Sequence, residues 1–153
     1  MTCRSKLTTR LAFTCSWSPA GRIAFTNGEN IFTIRANGTG LSRLTRATAK
    51  ELAPLWSPDG TSIAFLRQQP GGNRAPYDLW TMAADGSRQV RVATTVLRAG
   101  WSPDGALIAF IRGFPGTRTT FEKPKGLWLM QRDGSGQLQI AKGASQFDWQ
   151  ALH

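Results

Sequence analysis

Short apolar segments separated by turn sequences run along the whole chain. Three of them are nearly identical: Ile23-Ala24-Phe25, Ile63-Ala64-Phe65 and Ile108-Ala109-Phe110. Others, such as Val90-Arg91-Val92-Ala93, alternate apolar and polar residues as half-buried strands do. The segments are bounded by Pro-Asp-Gly, Asp-Gly and Asn-Gly, which are turn signals, and no segment keeps a helical period. The pattern therefore predicts short antiparallel strands throughout.

The segments belong to a longer repeat. A Trp-Ser-Pro-x-Gly motif precedes each Ile-Ala-Phe, beginning at Trp17, Trp56 and Trp101. An apolar segment running into Asn37-Gly38, Asp85-Gly86 or Asp133-Gly134 follows, and then a fourth short segment. Four strands recurring every 40 to 50 residues or so are typical of β-propeller blades.

The sequence predicts one all-β domain of four-stranded antiparallel meanders. Three blades are complete, and a further blade is split between the two ends of the sequence. Such a set does not easily close a ring, so three interpretations stay open: a portion of a longer propeller, a half-ring that closes by homo-oligomerisation, or an open array. The predicted ranges are a closing strand at 4–10, blades at 11–46, 52–94 and 97–142, and an opening strand at 145–152.

Together, the Trp-Ser-Pro-Asp-Gly turn, the Ile-Ala-Phe strand and the apolar-Trp-x-Met-x-x-Asp-Gly segment resemble the TolB-type repeat, a relative of WD-type (WD40-like) repeats. The resemblance implies propeller blades, which that family uses in stand-alone periplasmic binding proteins and beside peptidase domains of the prolyl oligopeptidase type. The first repeat departs from the pattern. Ala20 stands where the others have Asp59 and Asp104, and the motif is one residue shorter, which predicts an altered turn.

The motif also has a structural explanation. Proline presets one turn position, glycine supplies a positive φ, and the Asp side chain can accept backbone N–H groups within the turn. We expect Trp17, Trp56 and Trp101 to pack between neighbouring blades rather than to stack on a ligand.

The candidate chemistry argues against an enzyme. Nucleophilic catalysis needs a base beside the nucleophile, and the only histidine is His153. There is no Gly-x-Ser-x-Gly motif, and the Asp-Gly turns account for four of the nine acidic residues. No spacing indicates a metal site, and no glycine-rich segment has the Lys-Ser/Thr ending of a phosphate loop. We expect no catalytic residues, no metal and no cofactor.

Charge and cysteines limit the partners and the compartment. The 153 residues include 19 basic and 9 acidic ones, a net charge of +10, but the basic residues are scattered, so nucleic acid is not the expected partner. The sequence shows neither a membrane span nor a signal peptide, whereas the resemblance suggests the periplasm or the cell exterior. Cys3 and Cys15 are expected to be free or buried thiols, since a disulfide between them requires an oxidising compartment.

The connection between the second and third strands differs among the repeats. It is short in the first (27–30) and long in the other two (68–77 and 113–125). Because long loops on a rigid scaffold commonly bind partners, we predict a protein or peptide site there. The alternative is the non-catalytic propeller portion of a larger prolyl-oligopeptidase-type peptidase. The candidate binding residues are Arg67, Arg74, Tyr77, Arg112, Phe114, Arg118, Phe121, Lys123 and Lys125.

Overall fold

The computed structural model describes residues 14–72, 75–114 and 123–149, and these form strands and turns without a helix. The all-β prediction is confirmed. No segment of this part of the chain is a helix able to cross a membrane. The strands are β1 Cys15–Trp17, β2 Arg22–Thr26, β3 Ile31–Arg35, β4 Ser42–Arg43, β5 Glu51–Trp56, β6 Ser62–Gln68, β7 Tyr77–Ala83, β8 Val90–Ala93, β9 Val96–Trp101, β10 Leu107–Phe114, β11 Lys123–Gln131 and β12 Leu138–Lys142.

The strands form three four-stranded antiparallel meanders, called here blade 1 (β1 to β4), blade 2 (β5 to β8) and blade 3 (β9 to β12). The predicted strand at 4–10 lies outside the described residues. The predicted opening strand at 145–152 is not formed across 144–149, although Phe147 and Trp149 lie against Gly100 of β9. This contact places the segment beside the first strand of blade 3.

Side-chain hydrogen bonds hold the Ser-Pro-Asp-Gly turns together. In blade 2, Gly60 N–H donates to the Ser57 carbonyl at 2.9 Å, which closes a β-turn. The Ser57 hydroxyl and the Thr61 N–H donate to Asp59 Oδ1 at 2.6 and 3.0 Å. The predicted role of the aspartate as an acceptor is thereby confirmed.

The turn of blade 1 is altered, as predicted. Ser18 N–H donates to the carbonyl of Arg22, four residues on, whereas Ser57 N–H donates to that of Ser62, five residues on. Ala20 offers no carboxylate to the turn. The turn of blade 1 is therefore one residue shorter than the other two turns and also lacks their carboxylate acceptor.

The Asp59 turn makes stability depend on pH. The Ser57 hydroxyl, then the Thr61 N–H, hold the pKa of Asp59 well below its ordinary value. A carboxyl whose pKa is lower in the folded state contributes stability above its unfolded pKa, near 4, and loses that contribution as pH falls. We expect Asp59→Asn to lower the free energy of unfolding by about 1 kcal/mol at pH 7 and to flatten its fall below about pH 4. Urea titrations at several pH values measure both quantities.

The control for that prediction is Glu29→Gln. Glu29 is exposed, and its side chain accepts no hydrogen bond within the described residues. An Asp59→Asn variant with the same pH profile as the parent protein and the Glu29→Gln control would contradict the prediction.

The core lies between blades. Blades 1 and 2 meet in a cluster that includes Ile31, Trp56 and Phe65, and blades 2 and 3 meet in one that includes Leu79 and Phe110. Each blade therefore buries its apolar faces against its neighbours.

The three motif tryptophans do not share one environment. Trp56 is 8% exposed in the cluster between blades 1 and 2. The Trp101 indole packs between blades 2 and 3 and donates to the Leu55 carbonyl at 3.1 Å. The expectation of inter-blade packing is wrong for Trp17, which is 46% exposed, because no blade precedes blade 1 among the described residues.

Alternating strand directions give the blades two distinct edges. The Ser-Pro-x-Gly and Asn/Asp-Gly turns lie on one edge, called here the turn face. The loop face is the opposite edge, and it contains the connections from β2 to β3 and from β6 to β7, the ends of β10 and β11 at Phe114 and Lys123, and the inter-blade segments 44–50 and 94–95. The long connections of blades 2 and 3 thus leave the same face.

Cys15 corrects the expectation of free or buried thiols. It is disulfide-bonded, and its partner lies outside the described residues. The sequence contains no Cys-x-x-Cys or Cys/His spacing that would have indicated how its cysteines are used.

Candidate binding face

Four predicted binding residues are described with their side chains: Arg67, Tyr77, Arg112 and Lys125. All four lie near the loop-face ends of the central strands of blades 2 and 3. Phe114 ends β10 and Lys123 begins β11, but their side chains are outside the described part, as are Arg74, Arg118 and Phe121 altogether.

Arg67 is built into blade 2. Its guanidinium lies 4.3 Å from the centre of the Trp80 ring, and its Nε donates to Glu51 Oε1 at 2.8 Å. A further N–H donates to Gln89 Oε1 at 2.6 Å, and the side chain is 17% exposed. Stacking and hydrogen bonds hold this guanidinium along the blade, not out in a loop.

Glu51 was missed by the sequence analysis and links blade 1 to blade 2. Its side chain is fully buried, and Thr45 Oγ1 donates to Oε2 while Arg67 donates to Oε1. Thr26 Oγ1 also donates to the Glu51 backbone carbonyl at 2.6 Å. A single acidic residue at the start of a strand gave no recognisable signal, because its partners come from three separate parts of the sequence.

A second buried carboxylate lies across the strand pair. Asp78 is the Cα partner of Arg67 and is 4% exposed. It accepts from Gln69 Nε2 at 2.6 Å and from Thr95 N–H at 3.1 Å, and it forms an ion pair with Arg91 at 3.4 Å. Glu51 and Asp78 therefore balance the two arginines at the loop-face end of blade 2.

Blade 3 repeats the arginine of this arrangement, but the positions equivalent to Glu51 and Asp78 carry no carboxylate. Arg112 lies 4.5 Å from the centre of the Trp128 ring and donates to Gln137 Oε1 at 2.8 Å, as Arg67 does with Trp80 and Gln89. Val96 is the Cα partner of Arg112 in the position of Glu51, and Gly126 takes the position of Asp78. The buried Nε of Arg112 has no hydrogen-bond partner.

Tyr77 and Lys125 lie near the same loop-face ends of blades 2 and 3. Tyr77 packs against the core cluster between blades 2 and 3, and burial raises the pKa of its phenol. Lys125 is exposed and precedes Gly126 in β11. Tyr77 and Arg112, which stacks on Phe110 of that cluster, thus border the same interface.

The loop face also contains a cleft of about 380 Å³. The inter-blade segment before β5 forms one wall, and the connection after β6 forms the other. On the second wall, Gln69 already donates its amide N–H to Asp78, and the glycines present backbone groups, which can hydrogen-bond an extended peptide. The lining residues are Thr48, Ala49, Lys50, Gln68, Gln69, Pro70, Gly71 and Gly72.

The described part of the loop face is rich in polar and basic groups. Arginine, lysine, amide and backbone groups dominate it, and Glu51 and Asp78 are already engaged in hydrogen bonds. Among the residues that the structure describes, no three His, Cys, Asp or Glu side chains converge on a point that could hold a metal ion.

Comparison with known proteins places the fold. No family model matches the chain. A putative TolB from Agrobacterium tumefaciens superposes with a TM-score of 0.66 and 22% identity over 90% of this chain. An oligogalacturonate lyase in complex with manganese gives 0.67 and 13% over 90%, and the β-propeller domain of the Trilobed protease from Pyrococcus furiosus gives 0.59 and 15% over 84%.

The chain spans 53%, 43% and 42% of these three structures, respectively. Their names include enzymes and a TolB, so the shared fold does not decide between catalysis and binding. Three antiparallel four-stranded blades with these neighbours give the chain the fold of a partial, TolB-like β-propeller.

Proposed function

We propose that the chain is a non-catalytic propeller scaffold that binds a protein or peptide through the loop face. The observation that carries this proposal is that the described part of the connection between β6 and β7, a cleft of about 380 Å³ and basic side chains of blades 2 and 3 lie on one edge. The packed interfaces between blades hold these groups in fixed positions. A rigid scaffold that presents such loops is suited to recognising a partner.

We assign no catalytic group because of the chemistry of the side chains, and the fold plays no part in that assignment. The sequence has a single histidine and no nucleophile motif. Its Asp-Gly carboxylates at Asp59, Asp85, Asp104 and Asp133 all have pKa values lowered by turn hydrogen bonds, which suits structural acceptors rather than proton donors.

A second candidate is the propeller portion of a larger peptidase. The similarity to the propeller domain of a protease favours it. In that case the ring would control access to a hydrolase domain. Determining the full reading frame distinguishes the candidates, because a hydrolase nucleophile motif next to the repeats supports only the peptidase.

We further propose the periplasm or the cell exterior as the compartment. The disulfide of Cys15 supports this assignment, because such bonds persist mainly in oxidising compartments. Mass spectrometry of the protein isolated from its own cells, alkylated before reduction, tests it: a fully alkylated pair of thiols would exclude this assignment.

Ring completion by a second copy also belongs to the proposal. Trp17 of blade 1 is 46% exposed, and Leu138 and Ile140 of blade 3 are 62% and 48% exposed, so both terminal blades offer apolar surface. We expect light scattering after size-exclusion chromatography to give twice the chain mass, and Trp17→Ser to shift the protein toward monomer. Monomer at every concentration for the unaltered chain would rule out the dimer.

The loop face is tested by charge reversal. We expect Lys50→Glu with Lys125→Glu to weaken binding of peptides selected from a random display library about tenfold, because both lysines are exposed on that face. Titration calorimetry measures the affinity.

The matched control is Arg35→Glu with Arg88→Glu, which makes the same charge change on the turn face. It separates a local contact from the general attraction of a chain with net charge +10. Equal losses in both pairs would reject the loop face as the site.

A further inference from the structure

We propose that a cavity on the turn face, between blades 2 and 3, binds a small organic or inorganic anion through Arg88, Arg132 and Thr81. The cavity has a volume of about 240 Å³, and both arginines that line it are exposed. Drug-sized ligands occupy sites of roughly 300 Å³ or more, so this cavity suits a smaller molecule. The inference goes beyond the proposed function, which concerns the opposite face of the blades.

Arg132 reaches from blade 3 to blade 2 and forms one wall of the cavity. Its guanidinium donates to Asp59 Oδ2, Thr61 Oγ1 and Ser62 Oγ, each at 3.1 Å. It also lies 5.7 Å from the centre of the Trp101 ring, which lines the same cavity. An arginine has five N–H donors, and these three hydrogen bonds leave two unused. The side chain is 41% exposed, so a ligand can reach the unused donors.

Arg88 lines the cavity from blade 2 and supplies the positive charge. It lies in the turn after β7 and has neither a hydrogen bond nor an ion pair within the described part of the chain. Hydrogen bonds from Ser87 lower the pKa of Asp85 in the same turn, and the charge of Arg88 adds to that effect from a longer distance. The guanidinium of Arg88 therefore keeps its donors for a ligand.

Thr81 adds an uncharged donor to the cavity. It is the cross-strand partner of Ala64, which belongs to the core cluster between blades 2 and 3, so its side chain faces blade 3. Within the described residues its hydroxyl has no hydrogen-bond partner, and solvent reaches its oxygen. The hydroxyl is therefore available to donate to a ligand.

The unused groups decide the class of the ligand. A guanidinium donates hydrogen bonds and cannot accept them, and the described residues that line the cavity include no acidic one. Asp59 balances the charge of Arg132, whereas Arg88 leaves a net positive charge at the cavity. A carboxylate or phosphate group accepts several hydrogen bonds at once and gains from that charge. The ligand is thus assigned as a small oxyanion.

The interface between blades 1 and 2 shows that blade packing does not require this arginine. Ala84 N–H donates to the Thr61 carbonyl as Arg132 N–H donates to the Ala106 carbonyl, so Ala84 and Arg132 are equivalent. Ala84 packs against the core cluster between blades 1 and 2, and the turn that precedes it in blade 1 contains Ala20 instead of an aspartate. The arginine is therefore an addition to the interface between blades 2 and 3.

The test is a titration of the full chain with succinate and with inorganic phosphate at constant ionic strength, followed by the indole Nε1–H resonance of Trp101. Trp101→Phe assigns that signal by its disappearance. We expect at least one of the two anions to shift the signal saturably, and the more tightly bound one identifies the group that the site prefers. Succinamide, the neutral analogue of succinate, is expected to leave the signal unmoved. No response to either anion at millimolar concentration, or an equal response to succinamide, overturns the assignment.

Substitutions supply a second measurement. We expect Arg88→Gln to weaken binding of the anion about tenfold and Thr81→Val to weaken it less. Because neither side chain has a hydrogen bond within the described residues, both variants are expected to unfold at the same urea concentration as the parent chain. Arg35→Gln is the matched control, since Arg35 is exposed on the turn face of blade 1. Unchanged affinity in Arg88→Gln, or an equal loss in Arg35→Gln, overturns the proposal.

This site and the loop face can fail separately. The central strands β6 and β7 have seven residues each, so the two faces lie about 20 Å apart, beyond the Debye length of about 8 Å at physiological salt. Lys50→Glu with Lys125→Glu is therefore expected to leave anion binding unchanged, and Arg88→Gln to leave the binding of peptides on the loop face unchanged. A loss confined to one assay identifies which of the two sites is real.

Discussion

Glu51→Gln is expected to lower the free energy of unfolding by about 3 kcal/mol, because it leaves a largely buried guanidinium without its counter-charge. Glu51 is fully buried, and Arg67 is only 17% exposed, so water can solvate the unpaired charge only in part. The substitution keeps the shape of the side chain, so the loss of stability reports the removal of its charge. Urea unfolding followed by tryptophan fluorescence measures it.

A double-mutant cycle with Arg67→Gln supplies the control. Removing both charges is expected to cost less than the sum of the single changes, with a coupling of about 1 kcal/mol or more. Glu29→Gln on the exposed surface is expected to stay within about 0.5 kcal/mol of the parent chain. A Glu51→Gln variant as stable as Glu29→Gln would show that the buried ion pair of Glu51 and Arg67 contributes no measurable stability.

Phe65→Ala is expected to lower the free energy of unfolding by about 4 kcal/mol, through lost burial and the cavity that remains. Phe65 is 0% exposed in the cluster that joins blade 1 to blade 2, among Trp56, Ile63 and Met82. Its ring also lies 5.3 Å from the Arg67 guanidinium, so the cavity would loosen the ion-pair site as well. Thermal and urea unfolding measure the loss.

The matched control for Phe65→Ala is Val90→Ala in the outer strand of the same blade, where the side chain is 52% exposed. Its expected effect is within about 0.5 kcal/mol. Because each blade contacts only its neighbours, losing the interface between blades 1 and 2 is expected to affect blade 1 before blade 3. Comparable losses in the two variants would contradict the assignment of the core to the inter-blade clusters.

The structure separates two arginines that the sequence treats alike. Arg67 and Arg112 follow identical Ile-x-Phe contexts and were predicted together as binding residues. In the structure both stack on aromatic rings, but only Arg67 has a carboxylate as its partner across β5 or β9, because Glu51 stands opposite Arg67 and Val96 stands opposite Arg112. The sequence immediately around either arginine does not reveal that difference.

The sequence by itself determined the strands, the turns and the blade repeat. These follow from interactions within a few residues: Ser57 and Asp59 close their own turn, and the continuous apolar run from Ile63 to Leu66 marks a central strand that is buried on both faces. The altered turn of blade 1 was likewise visible in Ala20 and the missing residue. Repetition strengthened each inference, because equivalent segments had to form the same element.

Only the tertiary structure decided which equivalent residues have a neighbour. Trp17 and Trp56 share a motif, yet Trp17 is 46% exposed and Trp56 is 8% exposed, because only Trp56 has a preceding blade to pack against among the described residues. The ion pair of Arg67 depends in the same way on Glu51, 16 residues away in the sequence, and the sequence alone did not reveal the disulfide of Cys15. Local sequence specifies what a strand can contact, whereas burial and charge pairing depend on what the folded chain places beside it.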